Sequence, residues 1–215
     1  MSGHASGRTP YKVVVIGGSA GGVEALSAIL SRLPNDFALP ILAVQHLHLS
    51  DDGAFARHMA DMTQLSVVEP CDKAQIEPGR VYIAPANYHM LAERDGTISL
   101  SVAERVNWSR PSIDVLFESA ASAWGEAVIG VILSGANADG TQGLHAIKDA
   151  GGLTIAQDPA EAKVRVMPQA AIDAGAADEV LRAKEIGQQL ADLGGKKKGV
   201  SAHWTTRNQP SWVLG

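Results

Sequence analysis

Three polar side chains stand where long apolar runs end, and together they are the set that acyl-transfer hydrolysis requires. Ser19 sits in Val13-Val14-Val15-Ile16-Gly17-Gly18-Ser19-Ala20-Gly21-Gly22-Val23-Glu24-Ala25-Leu26, where a β-branched run enters a glycine-rich turn and helical periodicity follows. The spacing Gly17-x-Ser19-x-Gly21 fits a nucleophile elbow, whose small flanking residues allow a tight bend that lifts a hydroxyl above a sheet edge. His46 closes the run Phe-Ala-Leu-Pro-Ile-Leu-Ala-Val-Gln at 37–45, and Asp139 follows Ala-Val-Ile-Gly-Val-Ile-Leu at 127–133 within Ser134-Gly135-Ala136-Asn137-Ala138-Asp139-Gly140. A serine hydroxyl needs a base, an imidazole titrates near neutrality and can serve as one, and a carboxylate fixes the imidazole tautomer and stabilises its cation. Each residue alone has a plainer reading: Ser19 as a tight-turn residue, His46 as a structural or exposed histidine, Asp139 as an N-cap for a helix starting at Gly140. Three coincidences at equivalent strand ends favour the catalytic set.

Other chemistries are less well supplied. His46-x-His48 could be read as a metal pair, but no acidic or cysteine partner lies at a recognisable ligand spacing, so no metal is expected. His58, His89 and His145 read as helix or hairpin residues. Cys71 lies between Glu69 and Asp72, carboxylates that raise a thiol pKa, and reads as a bystander. Gly17-x-Ser19-x-x-Gly22 also resembles a dinucleotide-binding turn. The middle glycine of that turn, which admits a pyrophosphate, is here serine, and the second strand ends in Gln45-His46 rather than a ribose-binding acid. No cofactor is therefore expected. The chain order Ser19, His46, Asp139 also differs from the Ser, acid, His order of α/β-hydrolases.

The elements that must carry these residues follow from periodicity. Strands are expected at 12–16, 37–45, 65–69, 80–84, 89–93, 97–101, 127–133, 153–157 and 179–181, and helices at 22–33, 51–62, 111–124, from about 140 to 150, 168–174 and 184–193. Arg94-Asp95-Gly96 marks a tight hairpin, which can join only antiparallel strands. The expected fold is α/β: a doubly wound, mainly parallel sheet with helices on both faces and an antiparallel hairpin at one edge, with ligands taken at the carboxyl ends of the strands.

With 215 residues, 46% hydrophobic and 19% charged, the chain can build one substantial core, expected at 11–193 between a flexible start at 1–10 and a disordered tail at 194–215. A net charge of -5 gives no electrostatic reason to expect nucleic acid, and Lys196-Lys197-Lys198 reads as a solvated run. A single cysteine excludes an internal disulfide and suits a reducing compartment. Without an apolar leader segment or a membrane-length apolar run, the expectation is a soluble, cytoplasmic protein with no direct membrane insertion.

From about Tyr11 to about Leu190 the chain resembles the catalytic domain of bacterial chemotaxis protein-glutamate methylesterases, the CheB type. The motifs that carry the resemblance are the elbow segment, Val44-Gln45-His46, Gly79-Arg80-Val81-Tyr82-Ile83-Ala84-Pro85, Arg110-Pro111-Ser112-Ile113-Asp114-Val115-Leu116-Phe117 and Leu133 to Gly140. The resemblance implies Ser19 as nucleophile, His46 as general acid/base and Asp139 as its orienting carboxylate. It also implies hydrolysis of γ-glutamyl methyl esters on chemoreceptor signalling helices, with release of methanol, and in many members deamidation of receptor glutamines. Acyl-transfer logic adds backbone N–H groups at Ala20 or Ala136 as oxyanion donors. Arg110 is the candidate for an acidic receptor surface, with setting of the helix entrance as the alternative; Ser112 is a cap or first-turn residue. Such esterases commonly carry an N-terminal receiver domain, whereas about ten residues precede the first strand here, so a free-standing form is expected. Ala20 and Ala136 replace Thr and Met of some members, which bears on substrate preference. The rival expectations are a protein-binding module of the same fold without catalysis, and a dinucleotide-binding protein.

Overall fold

The central strand β1 (Val13–Gly18) is buried along its whole length because strands lie on both sides of it and helices on both faces. The computed structural model describes residues 11–195; the sequence expectations for 1–10 and for 196–215 lie outside them. Helix α1 (Gly22–Leu30) returns the chain to β2 (Ile41–Gln45), and α2 (Ala54–Ala60) leads to β3 (Ser66–Val68) and β4 (Arg80–Ile83). A hairpin, β5 (His89–Ala92) with β6 (Ile98–Ser101), precedes α3 (Ile113–Trp124). There follow β7 (Val128–Ile132), α4 (Thr141–Asp149), β8 (Leu153–Gln157), α5 (Val166–Asp173), β9 (Glu179–Leu181) and α6 (Ala183–Gly194).

Seven strands form one parallel sheet in the order β3-β4-β2-β1-β7-β8-β9. From β1 the chain first builds outward through β2 and later returns to add β7 on the opposite side. That reversal opens a crevice at the carboxyl ends of β1 and β7, where open α/β sheets take their ligands. Alternation along β1 divides the core: Val14 and Ile16 face a cluster with Leu26, Ile29, Phe55, Met59, Ile186 and Leu190, whereas Val13 and Val15 face one with Ile113, Phe117, Leu144, Ile147 and Met167. Helices α1, α2 and α6 therefore cover one face, and α3, α4 and α5 the other.

Several boundaries move for identifiable reasons. Pro40 has no N–H to give a ladder, so β2 begins at Ile41; buried Phe37 instead bridges Gly195, which orders the chain two residues past the expected end of the domain. Helix α2 starts at Ala54, because Gly53 adopts φ 88 and the Asp51 carboxylate accepts the N–H groups of Gly53 and Phe55. Helix α3 starts at Ile113 with Ser112 extended in front of it, so Pro111 stands outside the helix rather than in its first turn. The β5–β6 hairpin forms a two-stranded sheet of its own packed against α3, rather than extending the ladder of an edge strand; the edges are β3 and β9.

Candidate active site

The turn after β1 is fixed from all sides before its hydroxyl is considered. A side chain at Gly17 would collide with Ile113 at the start of α3, so glycine there lets the helix close on the strand end. Gly21 has φ 79, a left-handed conformation that costs an L side chain about 1–2 kcal/mol, and a Cβ there would also meet Ser134 and Lys163. The Ser19 N–H donates to Ser134 O (2.9 Å), Gln45 Nε2 donates to Ser19 O (2.7 Å), and Ser134 Oγ donates to Ala20 O (2.7 Å). The ends of both neighbouring strands, β2 and β7, thus hold the backbone around one partly exposed serine.

His46 enters beside it. Gly18 and Gln45 are register partners, and the His46 N–H donates to Gly18 O at 3.0 Å, which continues the ladder past the ends of β1 and β2. The His46 Nε2–H donates to Asp139 Oδ2 at 2.9 Å; the imidazole is 15% exposed and the carboxylate fully enclosed. Side chains from beyond β2 and β7 are thus joined, and Ser19 stands at the end of β1, the strand between those two.

Asp139 caps a helix, although not its own. Helix α4 starts behind Gly140, which has no side chain to cap it, and the Asp139 carboxylate instead reaches the N-terminus of α3. Its Oδ2 accepts the Ile113 N–H (2.8 Å) as well as His46, and its Oδ1 accepts Ser112 Oγ (2.9 Å), Asn107 Nδ2 (3.0 Å) and the Asp114 N–H (3.3 Å). Burial alone would raise its pKa. The bonds from His46, Ile113, Asn107 and Ser112 outweigh that penalty and hold it down to about 2. It is an anion throughout the neutral range, as an orienting carboxylate must be.

A second buried carboxyl stands next to it. Asp114 Oδ1 accepts the Gly143 N–H from the first turn of α4 (2.7 Å), and its Oδ2 accepts Asn107 Nδ2 (2.7 Å). Burial, with the Asp139 charge adding, pushes Asp114 up to about 6 against its own hydrogen bonds. Each helix thus receives its cap from a carboxylate of the other's segment, and one amide touches both acids.

The remaining sequence candidates fall as follows. Ala20 and Ala136 are exposed on the two turns that face each other across β1 and β7, and neither N–H has an acceptor among the described residues. Arg110 Nη1 donates to the carbonyls of Val102 (2.7 Å) and Ala103 (2.9 Å), which ties the loop after β6. His48 bonds to Ser50 away from Asp139, and buried His89 accepts the Ser112 N–H while its Nε2–H donates to Glu104 O. Sequence reasoning did not single out Asn107 or Ser134, and it left Ser112 as an ordinary cap. The visible signal was the polar segment Val106 to Ser112 directly before an apolar helix.

The family model for CheB methylesterase matches residues 14–190. A Leptospira interrogans protein is 48% identical over 183 residues, 85% of this chain and 95% of that one. A protein named protein-glutamate methylesterase/protein-glutamine glutaminase 2 from Anaeromyxobacter dehalogenans is 43% identical over 85% of this chain, which spans 53% of it; the chain thus covers nearly all of one relative and about half of the other. The crystal structure of the Thermotoga maritima CheB methylesterase catalytic domain superposes with a TM-score of 0.82 at 36% identity, covering 85% of this chain and 98% of that one. With a family model matched over residues 14–190 and a relative 48% identical over most of both chains, the chain belongs to the CheB methylesterase family.

Proposed function

We propose that the protein is a serine hydrolase that demethylates glutamate γ-methyl esters on a chemoreceptor-type signalling protein in the cytoplasm, and that it also deamidates glutamines at such sites. The observation that carries this reading is the 2.9 Å bond from His46 to a buried, multiply hydrogen-bonded Asp139, at the end of the strand register-paired with the one that delivers Ser19. Because Asp139 holds Nε2, Nδ1 is the nitrogen that serves Ser19. His46 Nδ1 takes the Ser19 proton, Oγ attacks the ester carbonyl, and the tetrahedral oxyanion is met by the free N–H groups of Ala20 and Ala136. Collapse breaks the C–O bond to methoxide, which leaves as methanol with the proton from His46. Water, deprotonated by His46, then attacks the acyl-serine, giving the glutamate carboxylate and restoring Ser19. A glutamine side chain follows the same steps with ammonia as leaving group, in keeping with the paired activities in the relatives' names.

Methanol release from methylated receptor, followed with the wild type and with Ser19→Ala, tests the assignment. Release by the wild type and none above background by the variant is expected; equal release by both would remove Ser19 from the chemistry.

A further inference from the structure

Asn107 lies in none of the strands or helices. It occupies the first central position of a two-residue turn closed by reciprocal backbone bonds between Val106 and Ser109 (3.2 and 2.9 Å), and its φ of 51 lies in the left-handed region that asparagine tolerates better than most residues. From this surface turn its side chain reaches inward, and Nδ2 donates to Asp139 Oδ1 at 3.0 Å and to Asp114 Oδ2 at 2.7 Å. An amide nitrogen has two hydrogens, so one can be committed to each carboxylate. These are the carboxylates that cap α3 and α4 in exchange, across a contact so close that a Cβ at Gly143 would collide with Phe117.

Resting on the esterase reading above, we propose that Asn107 is a positioning residue of the reaction: its side-chain amide clamps the Asp139 carboxylate in the orientation that receives His46, using Asp114 as the second anchor. Two enclosed carboxyls side by side repel when ionised, and an unclamped Asp139 can turn its oxygens away from the imidazole or share a proton with its neighbour. The amide removes both options by giving each acid its own donor. Asp114 also serves as the anchor from α3, since its other oxygen is already fixed by α4. Loop contacts aim the clamp: Arg110 ties the carbonyls of Val102 and Ala103, and His89 ties Glu104, so the segment leading to Asn107 is held at three carbonyls.

The test uses Asn107→Gly, which keeps the turn's positive φ and deletes the amide, and Asn107→Asp, which keeps the shape and replaces a donor with an acceptor. The ionisable groups that face the cluster are His46 beyond β2, Asp114 and Glu118 on α3, and His89 on β5 behind Ser112. With methylated receptor as substrate, Asn107→Gly should lower kcat about 10- to 100-fold with KM within about twofold of wild type, the loss that removal of a supporting partner typically brings. A loosened Asp139 should also displace the acid limb of the pH profile from its wild-type position, a change that a merely structural role of the turn would not produce. Asn107→Asp should lose more activity. Independently of turnover, the downfield proton resonance of the His46 Nε2–H should move and weaken in both variants relative to wild type. Folded variants with wild-type kcat, wild-type acid limb and an unmoved resonance overturn the clamp while leaving the esterase reading intact. A wild type that releases no methanol overturns that reading, and the clamp's catalytic role with it.

Discussion

At the residue scale, one carboxylate, Asp139, holds both a helix end and an imidazole. Its sequence position suggested an N-cap, and a cap it is, but for α3, which begins 26 residues earlier, while the same carboxylate holds His46. If the anion and its acceptor geometry are what the imidazole needs, Asp139→Asn should lower kcat by about 10⁴, since an amide in this position selects the wrong imidazole tautomer. Steady-state kinetics at saturating methylated receptor would measure it, and a loss below tenfold would reduce Asp139 to a structural cap. The meeting of His46 with Asp139 was legible because each follows a long apolar run, and the ends of parallel strands share one sheet edge. Asn107 and Ser112 were not legible as partners, because their bonds to Asp139 span 32 and 27 residues and depend on how α3 meets β1.

At the element scale, the same short turn presents two faces. Asn107 points inward to the acids, whereas Trp108 is 92% exposed and holds φ 64 without the permissiveness of glycine or asparagine. A bulky residue in that conformation costs stability and gains no burial in return, the kind of local strain that collects at binding sites. Trp108→Gly should therefore leave the unfolding free energy within about 1 kcal/mol of wild type, because relief of backbone strain and the greater chain entropy of glycine oppose each other. The same change should raise KM for the receptor protein while sparing turnover of a small carboxylic ester. Denaturant unfolding and a comparison of the two substrates would check both parts; a large stability loss would show that the indole packs in solution. The elements themselves were read well where periodicity is local, with β8 and β9 matching residue for residue. They were read less well where the third dimension decides. Nothing in 89–101 reveals that the hairpin lies on α3 instead of continuing the sheet, because a tight turn sets the pairing of two strands and not the face on which they rest.

At the scale of the whole molecule, the acid pair should shape stability against pH in two windows of opposite sign. Asp139 is held down to about 2 from an ordinary value near 3.8, so the native state binds fewer protons than the unfolded chain between those values. Its contribution is present above about pH 4 and is lost as pH falls towards 2. Asp114 is pushed up to about 6, so between about 4 and 6 the native state binds more protons than the unfolded chain, and stability falls as pH rises through that range. Both carboxyls stand where α3 and α4 exchange caps, so protons taken up there act on the joint between the two helices that cover one face of the sheet. Asp114→Asn should flatten the stability curve between pH 4 and 6 and leave the fall below pH 4 in place. The amide Nδ2 would face that of Asn107 and lower the curve at every pH, so the slope and not the height is the diagnostic quantity. Urea unfolding of both proteins at half-unit pH steps would measure it, and an equal slope between pH 4 and 6 in wild type and variant would show that Asp114 does not titrate in that range.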